Sequence, residues 1–140
     1  MKNLLILSLL IIMVGPLTAW SQTKGQGSSP LKVEVYYFHP SERCPVDQSI
    51  EANTKSVMQT YFAKETGNGT ILFKVLNTED KANAPVVSKF NINTQALYIV
   101  RLEKGKEIQK DLTQFAFDYG KSNPGKFKAT LKTEIETALR

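Results

Sequence analysis

The one cysteine of the chain, Cys44, stands in the run Arg43-Cys44-Pro45-Val46-Asp47, with the one histidine, His39, just upstream. A lone cysteine excludes an intramolecular disulfide, a Cys-x-x-Cys redox pair, a cysteine-rich zinc site and an iron–sulfur cluster. Any thiol chemistry is therefore monothiol or shared with a second molecule: capture of a small thiol, a mixed disulfide with a partner, or reversible oxidation to a sulfenic acid resolved by another thiol. Arg43 and His39 favour the thiolate where they face the sulfur, whereas a carboxylate at Asp47 disfavours a second negative charge beside it. Asp47 itself reads either as an acid or base or as a charge suited to the start of a helix. His39 beside Cys44, together with Asp47 and Glu51, could supply ligands for a weak divalent site, but nothing fixes the four in a tetrahedron, so neither a metal nor any other cofactor is expected.

Positioning these residues requires a strand, a turn and a helix. Leu31, Val33, Val35 and Tyr37 alternate with Lys32 and Glu34 before the apolar run Tyr36-Tyr37-Phe38, which predicts a strand increasingly buried toward its end. His39 to Pro45 is a turn. A helix is expected from Pro45, suited to a first helical position, to about Glu65, with Ile50, Val57, Met58, Tyr61 and Phe62 on its inner side and Glu51, Lys55 and Gln59 outside. Cys44 then falls at the helix N-terminus. Gly67-Asn68-Gly69 ends the helix, and the almost wholly apolar stretch from Thr70 to Leu76 reads as an interior strand. Pro85 to Phe90 is a short helix. Ala96 to Leu102 and Glu107 to Leu112 flank Lys104-Gly105-Lys106 as a hairpin, and Thr113 to Tyr119 is a turn or short helix ended by Gly120. The last helix is capped by Asn123, starts at Pro124 and carries Phe127, Leu131, Ile135 and Leu139 at fourfold spacing. The order β-α-β-α-β-β-α calls for an α/β fold with a mixed four-stranded sheet flanked by helices.

Of the 140 residues, 22% are charged and 41% apolar, the composition of one globular domain. Lys2, the apolar run from Leu4 to Val14, the breaker Gly15-Pro16, and the small Ala19 and Ser21 have the layout of a signal peptide over residues 1–21, cut after Ser21. The run is too short to span a bilayer, so a soluble periplasmic or secreted protein without a stable membrane anchor is expected. Residues 22–30 are Gly/Ser-rich and read as a flexible linker to a domain over 31–140. The formal net charge of +5 falls to +4 when Lys2 is removed with the leader. Lysines scattered among acids, with no basic stripe interleaved with aromatics, give nucleic-acid binding no support.

The chain resembles the thioredoxin-like superfamily and, within it, exported proteins of the ArsF type, named for a nitrophenyl compound nitroreductase subunit. Three stretches carry the resemblance: Val33 to Cys44 (VEVYYFHPSERC), Glu51 to Phe62 (EANTKSVMQTYF) and Asp111 to Lys128 (DLTQFAFDYGKSNPGKFK). The resemblance implies a thioredoxin-like sheet in which Arg43-Cys44-Pro45-Val46-Asp47 stands for Arg-Cys-x-x-Cys, with Asp47 in place of the resolving cysteine. It implies too that Ala96 takes the place of the thioredoxin cis-proline, with a trans Gln95–Ala96 bond, and that Pro45, Gln95 and Ala96 border a groove for a peptide or a thiol-containing partner in the envelope. Two functions from different classes follow. One is a monothiol or non-catalytic accessory of envelope thiol redox metabolism, not a dithiol disulfide reductase. The other is a non-enzymatic module that binds a partner peptide. In both, Cys44 is either reactive or an inert remnant of a redox site.

Overall fold

The computed structural model describes residues 30–140; the leader at 1–21 and most of the linker at 22–30 lie outside them. Alternation does what the sequence predicts in β1 (Val33–His39): Val33, Val35 and Tyr37 are buried on one face, and Tyr36 and Phe38 on the other. β2 (Ile71–Asn77) pairs with β1 in parallel, Val33 opposite Ile71 and His39 opposite Asn77. On its other side β1 pairs antiparallel with β3 (Ala96–Glu103), and β3 pairs antiparallel with β4 (Lys106–Asp111). The sheet order β2-β1-β3-β4 with helices on both faces is the thioredoxin-like arrangement that the order of elements calls for.

β2 departs from expectation, because it is an edge strand and not an interior one. Its apolar run reports two covered faces: Ile71, Phe73 and Val75 pack with one core and Leu76 with the other. A strand covered on both faces reads as continuously apolar whether or not it has two neighbours.

The first helix is also shorter than the sequence suggests. α1 (Pro45–Tyr61) ends where Phe62 leaves helical geometry at φ −127°, and α2 (Ala63–Gly67) starts anew beyond it. The break lets the Phe62 ring reach the core, where it is 3% exposed, while Tyr61, expected inside, is 51% exposed. Lys132 Nζ lies 5.5 Å from the centre of the Tyr61 ring. A single 3₁₀ turn (Lys81–Asn83) and α3 (Ala84–Lys89) lie between β2 and β3. Lys104 and Gly105, both at positive φ (50° and 78°), make the two-residue turn between β3 and β4, the geometry that matches strand twist in a hairpin.

α4 (Thr113–Tyr119) and α5 (Pro124–Leu139) complete the chain, and the Asn123 side chain accepts the Lys126 N–H at 3.0 Å, capping α5. Phe127, Leu131 and Ile135 of α5 are fully buried against α1 and the sheet. Between α4 and α5, Gly120 is a point of close approach. A Cβ there would lie 2.4 Å from Ile50 Cγ1 and 2.6 Å from the Ala116 carbonyl oxygen, so only glycine fits without a shift of α1. The Gly120 carbonyl also accepts from Asn53 Nδ2 at 2.8 Å, a second tie to α1. Among the described residues no helix is long and apolar enough to cross a membrane.

Candidate functional site

The turn after β1 delivers Cys44 to the N-cap of α1, in extended geometry (φ −81°, ψ 164°) and with its residue exposed. Pro45 holds the first helical position, where its missing N–H leaves nothing unpaired. Asp47 is at N3, and its carboxylate accepts the Cys44 N–H at 3.0 Å, one half of a capping box. The Cys44 sulfur faces the Asp47 N–H without making a hydrogen bond that caps it. Sulfur is a weak acceptor, so the thiol stays available.

Asp47 is 1% exposed, which is rare for a carboxylate unless it is paired. Its second oxygen accepts from Gln95 Nε2 at 2.9 Å. The Tyr37 hydroxyl, itself buried and pushed well above its ordinary range by that burial, donates to the Asp47 carbonyl at 3.0 Å. One residue thus ties the start of α1 to the middle of the sheet and to the segment leading into β3. With a hydrogen bond on each carboxylate oxygen, Asp47 acts as a bracket between the start of α1 and Gln95. Gln95 reaches the site from 48 residues away, and Ala96, buried at the first position of β3, pairs with Phe38 across the ladder. No peptide bond among the described residues is cis, so Gln95–Ala96 is trans as expected.

Arg43 and His39 are both committed elsewhere. Arg43 is ion-paired with Glu51 two turns along α1, and its guanidinium lies 5.9 Å from the centre of the Tyr37 ring. Burial works against the charge on each member of the pair. The mutual contact, with Lys55 added on Glu51, outweighs it, so Glu51 is held below its ordinary value and Arg43 above. His39 Nδ1 donates to the Pro40 carbonyl at 2.8 Å within the turn. No group of three or more His, Cys, Asp or Glu side chains is placed to hold a metal among the described residues.

Sequence reasoning identified the residues at this site but missed their partners. Glu51 was legible as an outer position of α1 and as a possible ligand but not as the partner of Arg43, and nothing in the spacing of Asp47 and Gln95 signals that they meet. Tyr37 was legible as core, but the hydrogen bond made by its hydroxyl was not.

A thiol at an exposed helix start, on a sheet of this order, defines a thioredoxin-like domain with a single cysteine. No family model matches the chain, and no curated protein does. Among solved structures it is similar to a thioredoxin from Trypanosoma brucei brucei, at 19% identity and TM-score 0.43, over 79% of this chain and 80% of that one. It is also similar to a malarial protein, at 15% identity and TM-score 0.40, over 62% of this chain and 93% of that one. Likenesses of this order say nothing about activity, and the fold assignment rests on the strand order and pairing.

Proposed function

We propose that this is an exported, ArsF-type thioredoxin-like protein whose single-cysteine site serves as a monothiol or non-catalytic accessory in envelope thiol redox metabolism. The observation that carries the reading is the exposed Cys44 at the start of α1 with a buried carboxylate, Asp47, where a dithiol site would have its second sulfur. The Cys44 thiolate attacks a partner disulfide R–S–S–R′, forming Cys44–S–S–R and releasing R′–S⁻. Release of R then requires a thiolate from another molecule, because Cys44 is the one cysteine of the sequence. The partner is a thiol or disulfide compound of the envelope, and the leader-like residues 1–21 support the export. No nitro-compound reduction is inferred.

The second reading, a peptide-binding module, draws on a different observation. Arg43 is paired with Glu51 and His39 with its own turn, so neither is spent on the sulfur. One experiment separates the two readings. Reduced full-length protein is incubated with oxidised glutathione, and the adduct is followed by intact mass, with Cys44→Ser as control. The monothiol reading expects one glutathione per chain, absent in the variant and removed by added thiol. It expects no insulin reduction beyond that of the reductant alone. Repeated reduction of insulin with no other thiol protein present overturns it. A Cys44 modified no faster than the cysteine of an unfolded peptide transfers the site to the binding reading.

A further inference from the structure

Cations that are scattered along the chain converge at the pole opposite Cys44. Lys32 immediately precedes β1, Arg101 and Lys104 lie at the far end of β3 and in its turn, and Arg140 follows α5. These four line one open cleft of about 270 Å³, together with Leu102, Glu103, Ala138 and Leu139. Its one acid is already engaged, Glu103 with Arg101 at 3.1 Å. The C-terminal end of α5 adds roughly half a negative charge. Even with that, Glu103 and an α-carboxylate on Arg140 all counted against the four cations, the cleft remains positive.

The apolar rim is the second feature. Leu31, 37% exposed, adjoins Lys32, and Leu102 and Leu139 are half-buried in the cleft wall. Cations around a shallow apolar rim suit a surface that carries phosphate charge above hydrocarbon. The leader, with its apolar run at residues 4–14, joins the domain at this same end through residue 30. While the leader is uncut, a membrane that it engages lies within reach of the basic pole through residues 22–30. We propose that the cleft lined by Lys32, Arg101, Lys104 and Arg140 binds the phosphate of an anionic phospholipid headgroup. The domain then rests on the membrane surface with Cys44 facing away from it. This is a peripheral contact, not an anchor, and it is independent of what Cys44 does.

The test compares full-length protein with two charge-matched double variants in co-sedimentation with vesicles. Lys32→Glu/Lys104→Glu alters the cleft. Lys81→Glu/Lys121→Glu removes the same charge from exposed positions in the 3₁₀ turn and just before α5, away from the cleft. Vesicles of phosphatidylcholine alone, to which the leader contributes equally in all three proteins, give the baseline against vesicles that include phosphatidylglycerol. Near an anionic surface each basic residue counts for about fivefold in affinity. The cleft variant should thus lose the phosphatidylglycerol-dependent binding by on the order of tenfold or more, while the control keeps most of it. Raising salt should weaken the wild-type increment as the Debye length shortens. Equal losses in both double variants would reduce the effect to net charge and overturn the proposal. So would the absence of a phosphatidylglycerol increment, or capture of inorganic phosphate by a protein that ignores vesicles. Far-ultraviolet circular dichroism confirms that each variant is folded before binding is scored.

Discussion

The two faces of the sheet are built differently. On one, α1, α4 and α5 close over a deep, mostly aliphatic core in which Val33, Val35, Leu97, Ile99, Phe127, Leu131 and Ile135 are sealed from water. On the other, α3, of only six residues, covers an aromatic cluster in which Phe90 touches Tyr36, Phe38 and Tyr98 at ring-centre distances of 5.1–5.6 Å. The first face draws its stability from area and close packing. The second relies on a few large rings, with Lys74 and Lys89 laid over Tyr36 and Phe90 at its margin. The lesson is that the bracket around Cys44 hangs from the thick face, through Tyr37 and α1, and meets the segment leading into β3 through one side chain, Gln95.

The largest expected effect tests the thick face. Phe127→Ala leaves a cavity in a region that cannot collapse and should cost about 3–5 kcal/mol in chemical denaturation. Phe90→Ala removes a ring of the same size where α3 can settle inward, and it should cost nearer 3 kcal/mol. If Phe90→Ala proved the more damaging of the two, the ranking of the faces would be reversed.

Next in size is the bracket. Asp47→Ala strands the Cys44 N–H and the Gln95 amide and should cost about 1–3 kcal/mol. It should also raise hydrogen exchange at Cys44, with little change in denaturant m-value. An unchanged exchange rate would mean that the carboxylate does not hold the turn.

The smallest effect is in acid, and it resolves the faces by titration. Glu51, on α1, is held below its ordinary value of 4.5, as contacts with Lys55 and Arg43 outweigh burial. Asp111 is held below its ordinary 3.8, as hydrogen bonds from Thr113 and Tyr98 outweigh burial. Because both folded values are depressed, their contribution is complete above those ordinary values and fades as pH falls through the lower folded ones. Glu51→Gln and Asp111→Asn should each flatten the acid limb of stability against pH. A limb unchanged in either variant would remove that carboxylate from the account.

Local rules were legible and long-range meetings were not. Asn123-Pro124 and the fourfold spacing from Phe127 located α5, and Lys104-Gly105 located the hairpin turn, because each signal acts within a few residues. Cys44 and Pro45 at the head of α1 followed from proline chemistry at a helix start. The break at Phe62 was hidden, since apolar residues at Tyr61 and Phe62 fit a continuing helix equally well. The edge position of β2 was hidden too, because hydrophobicity records covered faces and not hydrogen-bonded neighbours. Arg43–Glu51 and Asp47–Gln95 depend on where the chain returns, which spacing does not encode. The same holds for the basic pole, whose four cations come from three separate stretches of sequence.

Gly120 sets a condition on how this chain can diverge. With Ile50 Cγ1 2.4 Å and the Ala116 carbonyl oxygen 2.6 Å from where a methyl group would have to go, drift at that position is barred unless residue 50 loses that atom and the end of α4 shifts in the same lineage. Descendants that carry alanine at 120 should therefore pair it with alanine at 50, since valine keeps a γ carbon, leaving a covarying couplet as the evolutionary imprint of a crowded contact.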